Sequence, residues 1–385
     1  MHLIVLENEP SSHRGGQELS LIDICQGLHR RGHRISLLYK KSGDLLQHYQ
    51  SFCSDITCID EYKLNAKNLP QFVSSLHQAA QAIATESQSL VYCNQYQESF
   101  FGYGLACLKA IPFVCHLRLP PPTTLGVQSR LGLWGAKQLI AISQQTQQDW
   151  IAAGFSNQKF NTVYNGIDLD KFQEKTQPHL GGAIAPPQPL ISASPVIAPI
   201  IAPVIAYVGR LDKVKGVETL LKAIALLKLE DPHLHLLIAG KPLIQNARYQ
   251  DFLVQLAQQL GIGSNVSFLG HVSSPAKIYH ASHVAVLPSL WAEPFGRTIL
   301  EAMACGVPVV ASRVGGIPEV LSGEFAQGLF QPGNAEDLAA KLRHTLSWQS
   351  QDIKLRQRCR DHVGDRFPLS KTVEGVERVM LKALG

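Results

Sequence analysis

The chain has 385 residues, of which 45% are hydrophobic and 17% are charged, and its net charge is +5. This composition is typical of a globular chain with two or three domains and excludes a disordered or fibrous protein. Lys and Arg are scattered rather than clustered, so we expect no nucleic-acid partner, whereas the mild positive charge suits anionic substrates or loose contact with the inner face of an anionic membrane. The eight cysteines form no C-x-x-C pair, which favours reduced thiols and a cytoplasmic location.

The first 165 residues alternate between strand-like runs and helical stretches. The apolar start LIVLE lacks the basic region of a signal peptide and is predicted to be the first strand. A helix ending near Gly32 and the strand HRISLLYK follow it, and further helices are predicted near 69–86 and 100–108. This rhythm of strand, helix and strand predicts a doubly wound parallel sheet over 1–165.

A hinge and a linker rich in Pro, Ala and Ile are predicted over 166–203. The stretch from Pro186 to Val208 contains no Asp, Glu, Lys or Arg. Its prolines would each remove a backbone hydrogen bond that lipid cannot replace, so an extended or disordered linker is favoured over a membrane-spanning helix or a membrane-adhering loop. A second alternating series predicts another doubly wound domain over 204–366, and a final helix is predicted within 367–385.

The segment from Pro288 to Glu319 carries the most specific pattern. A strand-like run ends at its start, and a proline with Gly296 marks a predicted helix start, where free N–H groups and the helix dipole suit a phosphate. Glu293, just before this helix, could accept hydrogen bonds from sugar hydroxyls, and Glu301, about two turns on, could reach a ribose diol. The alternative is an ordinary βαβ unit with solvated glutamates, since helix starts favour acids in any case.

Cations, glycines and a histidine follow other predicted strands. Arg210 and Lys215 come after the strand IAYV and before a helix, where they could converge on a leaving diphosphate or form a solvated charged loop. Gly15 and Gly16 precede the first helix, where backbone amides could contact a diphosphate or sugar, although such a pair usually marks only a tight turn. His116 ends the strand FVCH and could bond a sugar hydroxyl or be a structural histidine.

Metal and dinucleotide sites are not expected. Asp168 and Asp170 have the D-x-D spacing of metal-dependent sugar transferases, but the triplet is common and lies at the predicted domain crossing. The sequence has no His and Cys cluster with zinc spacing, no GxGxxG after the first strand and no GxxxxGK[ST]. These absences argue against a dinucleotide oxidoreductase or a P-loop protein, and no cofactor is predicted.

Taken together, these motifs resemble glycosyltransferase family 4, the retaining group 1 enzymes of GT-B type, over nearly the whole chain. The resemblance implies an α/β fold with two Rossmann-like doubly wound domains facing across a cleft, the last helix crossing back onto the first. The chain departs from the family in its linker, which is longer and richer in proline. The motifs that carry the resemblance are Gly15-Gly16, His116, VYNGID at 163–168, Arg210 with Lys215 in GRLDKVKG, and E-P-F-G-x-x-x-x-E at 293–301.

The resemblance also implies roles for individual residues. Arg210 and Lys215 would neutralise the donor diphosphate, and Glu293 would face the donor sugar. His116 would lie beside the reacting centre, and Glu301 would bind the nucleotide ribose. Donor contacts are expected from Gly15, Gly16, Gly240, Val272, Phe295, Gly296, Arg297, Thr298 and Glu301.

The predicted activity is transfer of a hexose-type sugar from a UDP-, GDP- or ADP-sugar to a saccharide, lipid or small-molecule acceptor. The resemblance implies retention of anomeric configuration, and no metal is required if fixed cations and helix amides stabilise the departing diphosphate in the transition state. Two alternatives stay open. One is a non-catalytic nucleotide-sugar-binding scaffold subunit, and the other is a GT-B-like epimerase or phosphorylase.

Overall fold

A computed structural model describes residues 1–65, 67–172, 202–242 and 248–385. The described residues form two α/β domains, each built on a parallel sheet with helices on both faces. The two doubly wound sheets expected from the sequence are confirmed. Most of the linker predicted over 166–203 lies outside the described residues.

The first sheet has seven parallel strands among the described residues, in the order β3-β2-β1-β4-β5-β6-β7. Neighbouring residues of β1 pack on opposite faces, Leu3 and Val5 in one hydrophobic cluster and Ile4 and Leu6 in another. This double burial is typical of a parallel sheet covered on both sides. The strands are β1 (His2–Glu7), β2 (Arg34–Tyr39), β3 (Asp55–Cys58), β4 (Ser89–Cys93), β5 (Phe113–Leu117), β6 (Gln138–Ala141) and β7 (Phe160–Thr162).

The helices of the first domain follow the predicted order. The helix predicted near 69–86 ends earlier, at Ala82, because Ile83 is extended and buried in the core. The helices are α1 (Gly16–Arg30), α2 (Leu46–Gln50), α3 (Leu69–Ala82), α4 (Ser99–Lys109), α5 (Val127–Gly135) and α6 (Gln144–Ala152).

The second sheet has six parallel strands among the described residues, in the order β10-β9-β8-β11-β12-β13. Its strands are β8 (Val204–Val208), β9 (His235–Ala239), β10 (Val266–Gly270), β11 (Val284–Leu287), β12 (Val309–Ser312) and β13 (Leu329–Phe330). Its helices are α7 (Val217–Lys228), α8 (Arg248–Gln259), α9 (Pro275–His280), α10 (Arg297–Ala304), α11 (Ile317–Val320), α12 (Ala335–Gln351) and α13 (Leu355–Arg366). Within the described ranges no helix combines the length and the apolar character needed to cross a membrane.

The final helix, α14 (Leu369–Leu384), packs on the first domain. Ile167 and Pro368 form a parallel bridge where the chain crosses between domains. Val373, Val376 and Met380 are buried in the hydrophobic cluster that also contains the α1 face of the first sheet. The last helix is therefore an integral part of the first domain's core.

We expect Gly27→Ala to push α14 away from α1. A β-carbon at Gly27 would lie 2.4 Å from a methyl carbon of Val373. Overpacking of this kind should lower the free energy of unfolding by about 1–3 kcal/mol, which denaturant titration would measure.

Gly364→Ala is the matched control for this change. Gly364 is also inside a helix, but its β-carbon would lie 3.5 Å from Leu169, an ordinary contact. Alanine should therefore leave stability unchanged or raise it by up to about 1 kcal/mol. Equal losses in the two variants would contradict a close contact between α1 and α14.

Candidate active site

Each sheet has a topological switch point, where neighbouring strands lead to loops that diverge. In the second sheet this point lies between β8 and β11, and in the first it lies between β1 and β4. Ligands of doubly wound sheets bind at the carboxyl ends of the strands at such points. The loops that leave these strands contain Gly15, Arg210, Lys215 and Glu293, and Gly16 is the first residue of α1.

The loops after β8 and β11 are in direct backbone contact with each other. The N–H of Leu290 donates to the carbonyl of Val214 at 2.8 Å. Gly216 has a φ of 69°, and a β-carbon there would lie 1.9 Å from the carbonyl oxygen of Pro288. A glycine is therefore required at this position, and it fixes the neighbouring Lys215 against the second loop.

Glu293 is the centre of a polar cluster. Its Oε2 accepts hydrogen bonds from Lys215 Nζ at 2.5 Å, from Ser289 Oγ at 3.2 Å and from Trp291 Nε1 at 3.2 Å. The Lys215 ammonium also lies 5.3 Å from the centre of the Trp291 ring. The side chains of Lys215 and Glu293 are 13% and 14% exposed, so both remain within reach of a ligand. Ser289 and Trp291 belong to this cluster, although neither was a predicted site residue.

The backbone around Glu293 packs closely against two glycines. Its carbonyl accepts the N–H of Gly316 at 2.9 Å, and a β-carbon on Gly315 would lie 2.2 Å from the same oxygen. A β-carbon on Gly316 would lie 2.2 Å from the carbonyl oxygen of Pro294 and 3.0 Å from Ser143 of the first domain. The Gly315-Gly316 pair thus supports the Glu293 loop at the domain boundary.

Arg210, Gly240 and Val272 line the same edge of the second sheet. Arg210 is partly exposed, and within the described part of the chain its guanidinium has no hydrogen bond or ion pair. The hydroxyl of Tyr207 donates to the carbonyl of Arg210 at 2.6 Å, which holds the backbone after β8. Gly240 has a φ of 148° and follows β9, where a β-carbon would collide with the carbonyl of Gly209 at 1.8 Å. Val272 is partly buried against the neighbouring apolar cluster.

Helix α10 begins at the same edge. Gly296 caps it with a φ of 89°, in the left-handed region that favours glycine. The Phe295 ring is buried and packs against Tyr164 at 5.8 Å and Phe367 at 5.6 Å between ring centres, so it is a core side chain. Thr298 is partly exposed in the first turn. The backbone N–H groups of this turn are the part of α10 suited to an anion.

The side chain of Arg297 links the two domains, a role that the sequence did not predict. Its guanidinium donates to Glu301 Oε1 at 3.0 Å, to Ser20 Oγ at 3.2 Å and to Asp23 Oδ2 at 3.0 Å. Lys171 Nζ binds the other oxygen of Asp23 at 2.8 Å. Burial opposes ionisation of Asp23, but Arg297 and Lys171 outweigh it and hold its pKa below the usual value. For Glu301 burial prevails and raises the pKa.

The start of α1 meets the second domain. Gly15 has a φ of 131°, and a β-carbon on Gly16 would lie 3.4 Å from Cδ of Arg297. The rings of His13 and His271 lie 4.6 Å apart across the same boundary. The glycine pair therefore lies opposite the start of α10.

A second polar contact joins the domains at α6. The carboxylate of Glu319 accepts the N–H groups of Gln144 and Gln145, each at 2.8 Å. Ser143 Oγ accepts the N–H of Thr146 at 3.0 Å. Free N–H groups at the start of a first-domain helix are thus satisfied in part by a carboxylate from the second domain.

His116 is buried in β5 of the first domain. Its Nδ1 lies 2.6 Å from the hydroxyl of Tyr92, and its Nε2 has no hydrogen-bond partner among the described residues. Burial lowers the pKa of His116 well below its usual value and Arg118 lowers it further, so the ring is neutral. Arg118 is itself held by the side-chain oxygens of Asn94 at 2.9 Å and Asn165 at 2.6 Å.

Three glutamates of the first domain are buried near its switch point, and none was predicted as a site residue. Glu7 ends β1, Glu18 lies in the first turn of α1, and Glu98 follows β4. Arg14 Nε donates to Glu18 at 3.2 Å, whereas one oxygen each of Glu7 and Glu98 has no partner in the described ranges. Burial raises the pKa of Glu98 to about 8, with a smaller contribution from Glu18, so Glu98 is mainly protonated at neutral pH.

The D-x-D triplet has a local role in the chain. Oδ1 of Asp168 accepts the N–H of Asp170 at 3.2 Å and caps a short 3-10 turn. Over the residues that the structure describes, no group of three or more His, Cys, Asp or Glu side chains is arranged to hold a metal ion.

Solved structures of similar fold cover nearly the whole chain. The Anabaena protein HepE, solved in complex with UDP-glucose, is 21% identical, has a TM-score of 0.79 and aligns over 99% of this chain and 100% of that one. Sucrose-phosphate synthase from Thermosynechococcus elongatus is also 21% identical, with a TM-score of 0.76 over 99% and 98% of the two chains. Together with the two facing parallel sheets, these similarities define the GT-B fold.

Family models match both domains. The model for glycosyltransferase family 4 matches residues 14–171, and the model for group 1 glycosyl transferases matches residues 201–363. The chain therefore belongs to the group 1 glycosyltransferases of family 4.

Curated relatives extend this similarity. An uncharacterised glycosyltransferase of Methanocaldococcus jannaschii is 25% identical over 86% of this chain and 85% of its own length. The D-inositol 3-phosphate glycosyltransferase of Mycobacterium marinum is 32% identical, but the match covers 54% of this chain and 39% of that protein.

We expect Asp23→Ala to destabilise the domain interface. The change leaves the Arg297 guanidinium without its charged partner in the other domain, and removing one member of a largely buried ion pair should lower the free energy of unfolding by about 3 kcal/mol. Glu230→Ala is the control, because it breaks an exposed pair with Arg343 and should cost less than about 1 kcal/mol. Similar melting temperatures for the two variants would show that the interdomain pair contributes no more than a surface pair.

We expect Glu98→Gln to stabilise the protein in a pH-dependent way. Because the pKa of Glu98 is higher in the folded chain than in the unfolded one, its stabilising effect is complete below the unfolded value of about 4.5 and is lost as the pH rises through about 8. Glutamine imitates the protonated carboxyl, so the variant should gain about 1–3 kcal/mol over the wild type at pH 8 and little at pH 4.

Thermal unfolding at several pH values would measure this difference. Glu336→Gln makes the same chemical change at an exposed position and should show no comparable dependence on pH. A Glu98→Gln curve that runs parallel to that of the wild type at all pH values would contradict the raised pKa.

Proposed function

We propose that this protein is a glycosyltransferase that binds a nucleotide diphosphate sugar between its two domains and transfers the sugar to an acceptor. The observation that carries the proposal is the set formed by Arg210, Lys215 and Glu293, which lies at the switch point of the second sheet beside the start of α10. The complexes of HepE with UDP and with UDP-glucose support a donor of this class.

The charges of this set suit the two ends of such a donor. Arg210 has no protein partner in the described ranges, so its guanidinium can bind a diphosphate. The carboxylate of Glu293 that binds Lys215 also accepts hydrogen bonds from two neutral side chains, so it can keep these partners when Lys215 binds a diphosphate. Free N–H groups at the start of α10 add a fixed positive potential. Glu293 would then accept hydrogen bonds from the sugar, and Glu301 would accept bonds from the ribose. The side chain of Arg297 has no role on the donor in this proposal, because it binds across the domain interface.

The proposed reaction breaks the bond between the anomeric carbon and a phosphate oxygen and forms a bond to the acceptor oxygen on the same face. The acceptor proton passes to the departing phosphate, so no enzyme nucleophile is needed. Positive charge develops on the sugar carbon, and negative charge develops on the diphosphate. Arg210 and Lys215 stabilise this negative charge without a metal. The neutral His116, with Nε2 unpartnered in the described structure, would hydrogen-bond the sugar beside the reacting carbon.

The first domain would supply the acceptor side of the site. Its switch point carries buried polar groups that have unused hydrogen-bonding capacity, among them Glu7, Glu98 and Arg118. Such groups suit a polar acceptor with several hydroxyls, because each unpaired group would gain a partner on binding. A saccharide, a glycolipid head group and a small polyol share this chemistry.

The test measures nucleotide release from UDP-, GDP- and ADP-sugars in the presence of saccharide, lipid and small-molecule acceptors. We expect Arg210→Ala and Lys215→Ala each to lower kcat/KM by about 100-fold or more, because each removes a fixed charge that stabilises the transition state. Lys213→Ala is the matched control, since Lys213 lies in the same 3-10 turn as Lys215 but is exposed, and it should keep activity within about twofold.

The outcome separates the alternatives. Equal turnover by the wild type and both variants would contradict the diphosphate site. Tight nucleotide-sugar binding without transfer or hydrolysis, for every acceptor, would favour a scaffold subunit. A reaction that needs inorganic phosphate would favour a phosphorylase, and conversion of one nucleotide sugar into another without an acceptor would favour an epimerase.

A further inference from the structure

One layer of the first domain, formed by α3, α4 and α5, exposes large apolar side chains. Val127 is 74% exposed and Trp134 is 52% exposed on α5, where Leu131 lies between them at helical spacing. Leu69 and Val73 are more than half exposed on α3, and Leu108 is 59% exposed on α4. We call this layer the α3–α5 face.

The three helices of the α3–α5 face are in direct contact. A β-carbon on Gly104 of α4 would lie 3.4 Å from Leu76 of α3, and one on Gly135 of α5 would lie 2.2 Å from the ring of Tyr103 of α4. The Gln128 side chain of α5 donates to the carbonyl of Leu64, just before α3, at 2.9 Å. The exposed apolar groups therefore lie on adjoining helices of one layer, and a cluster of this kind on a single chain indicates a binding partner.

The charge around this face is mainly positive. The exposed Lys63, Lys67 and Lys137 and the partly exposed Lys109 lie within or beside the three helices. Arg130 lies on α5 with its guanidinium 5.8 Å from the centre of the Trp134 ring. This set provides cationic groups next to exposed apolar ones.

Acidic residues are fewer than cations along these helices, although Asp60 and Glu61 lie just before Lys63 and Asp149 lies just after Gln148. Between Lys63 and Gln148 the sequence contains two acids, Glu86 and Glu98. Glu86 forms an ion pair with Arg34 at 2.8 Å. Glu98 is buried, and burial raises its pKa to about 8, so its carboxyl is mainly uncharged at neutral pH. The α3–α5 face therefore combines apolar side chains with an excess of positive charge.

We propose that the α3–α5 face binds the surface of an anionic lipid bilayer. Apolar side chains would enter the boundary between head groups and acyl chains, Trp134 would lie at head-group depth, and the lysines would reach anionic phosphates. The charge on this face argues against a second copy of the chain as the occupant, because self-association would bring the same cations against each other.

The test is flotation of the full chain with lipid vesicles. One set of vesicles is neutral phosphatidylcholine and the other contains about one third phosphatidylglycerol, a composition with the negative surface potential that attracts basic segments. We expect binding to the anionic vesicles to exceed binding to the neutral ones by about tenfold or more, and to weaken at high salt.

The variant Val127→Asp with Leu131→Asp places two negative charges on the face at exposed positions of one helix. We expect it to lose at least about tenfold in binding to the anionic vesicles, from both lost apolar contact and charge repulsion. The matched control is Leu229→Asp with Ile353→Asp, which makes the same charge change at residues 83% and 94% exposed on the second domain. This control should lose less than about threefold, the share that a general change in net charge explains. Circular dichroism and melting temperatures check that both double variants fold.

Three results would overturn the proposal. The first is wild-type binding to anionic vesicles no stronger than to neutral ones. The second is an equal loss of binding in the two folded double variants. The third is a wild type that does not bind vesicles but forms a concentration-dependent dimer, which the variant Val127→Asp with Leu131→Asp does not form. This result would assign the face to self-association.

Discussion

The ion pair between Arg297 and Asp23 determines how the two halves of the site face each other. Arg297 is the first residue of α10, and Asp23 lies about two turns into α1. Their contact brings the starts of the two helices together, with Gly16 packed against the aliphatic part of Arg297. Two helix starts carry two partial positive charges, so an anion between the domains would be attracted by both.

The geometry around Glu293 depends on a chain of close backbone contacts that glycine alone permits. Gly315 and Gly316 let the Glu293 carbonyl approach the next turn, and Gly316 in turn touches Ser143 of the first domain. Glu319, three residues on, binds the start of α6 in that same domain. A displacement of the first domain would therefore reach the Glu293 loop directly, which couples the position of the donor-side carboxylate to closure of the two domains.

Local sequence patterns predicted the elements better than the contacts between them. Glycine and proline around Gly296 were sufficient to predict the start of α10, because backbone geometry at that turn is a local property. The same segment gave no sign that Arg297 binds Asp23, which lies 274 positions away, since R-x-x-x-E also predicts an ordinary pair within one helix. The bond between Tyr92 and His116 depends on how β4 lies beside β5, and no spacing along the chain encodes that register.

The two kinds of contact between the halves of the chain differ in what separation would cost. The ion pair made by Arg297 and the backbone hydrogen bonds accepted by Glu319 exchange protein partners for water when they open. With both partners intact, such polar contacts contribute little net stability, although removing one partner of a buried ion pair is costly. The contact of α14 with the first domain is mainly apolar, and opening it would expose Val373, Val376 and Met380. Domain opening should therefore leave α14 on the first domain and concentrate the motion where the chain crosses, at the bridge between Ile167 and Pro368. If opening breaks these polar contacts and the domains rotate about that crossing, the cleft can admit a charged donor without disrupting either hydrophobic core.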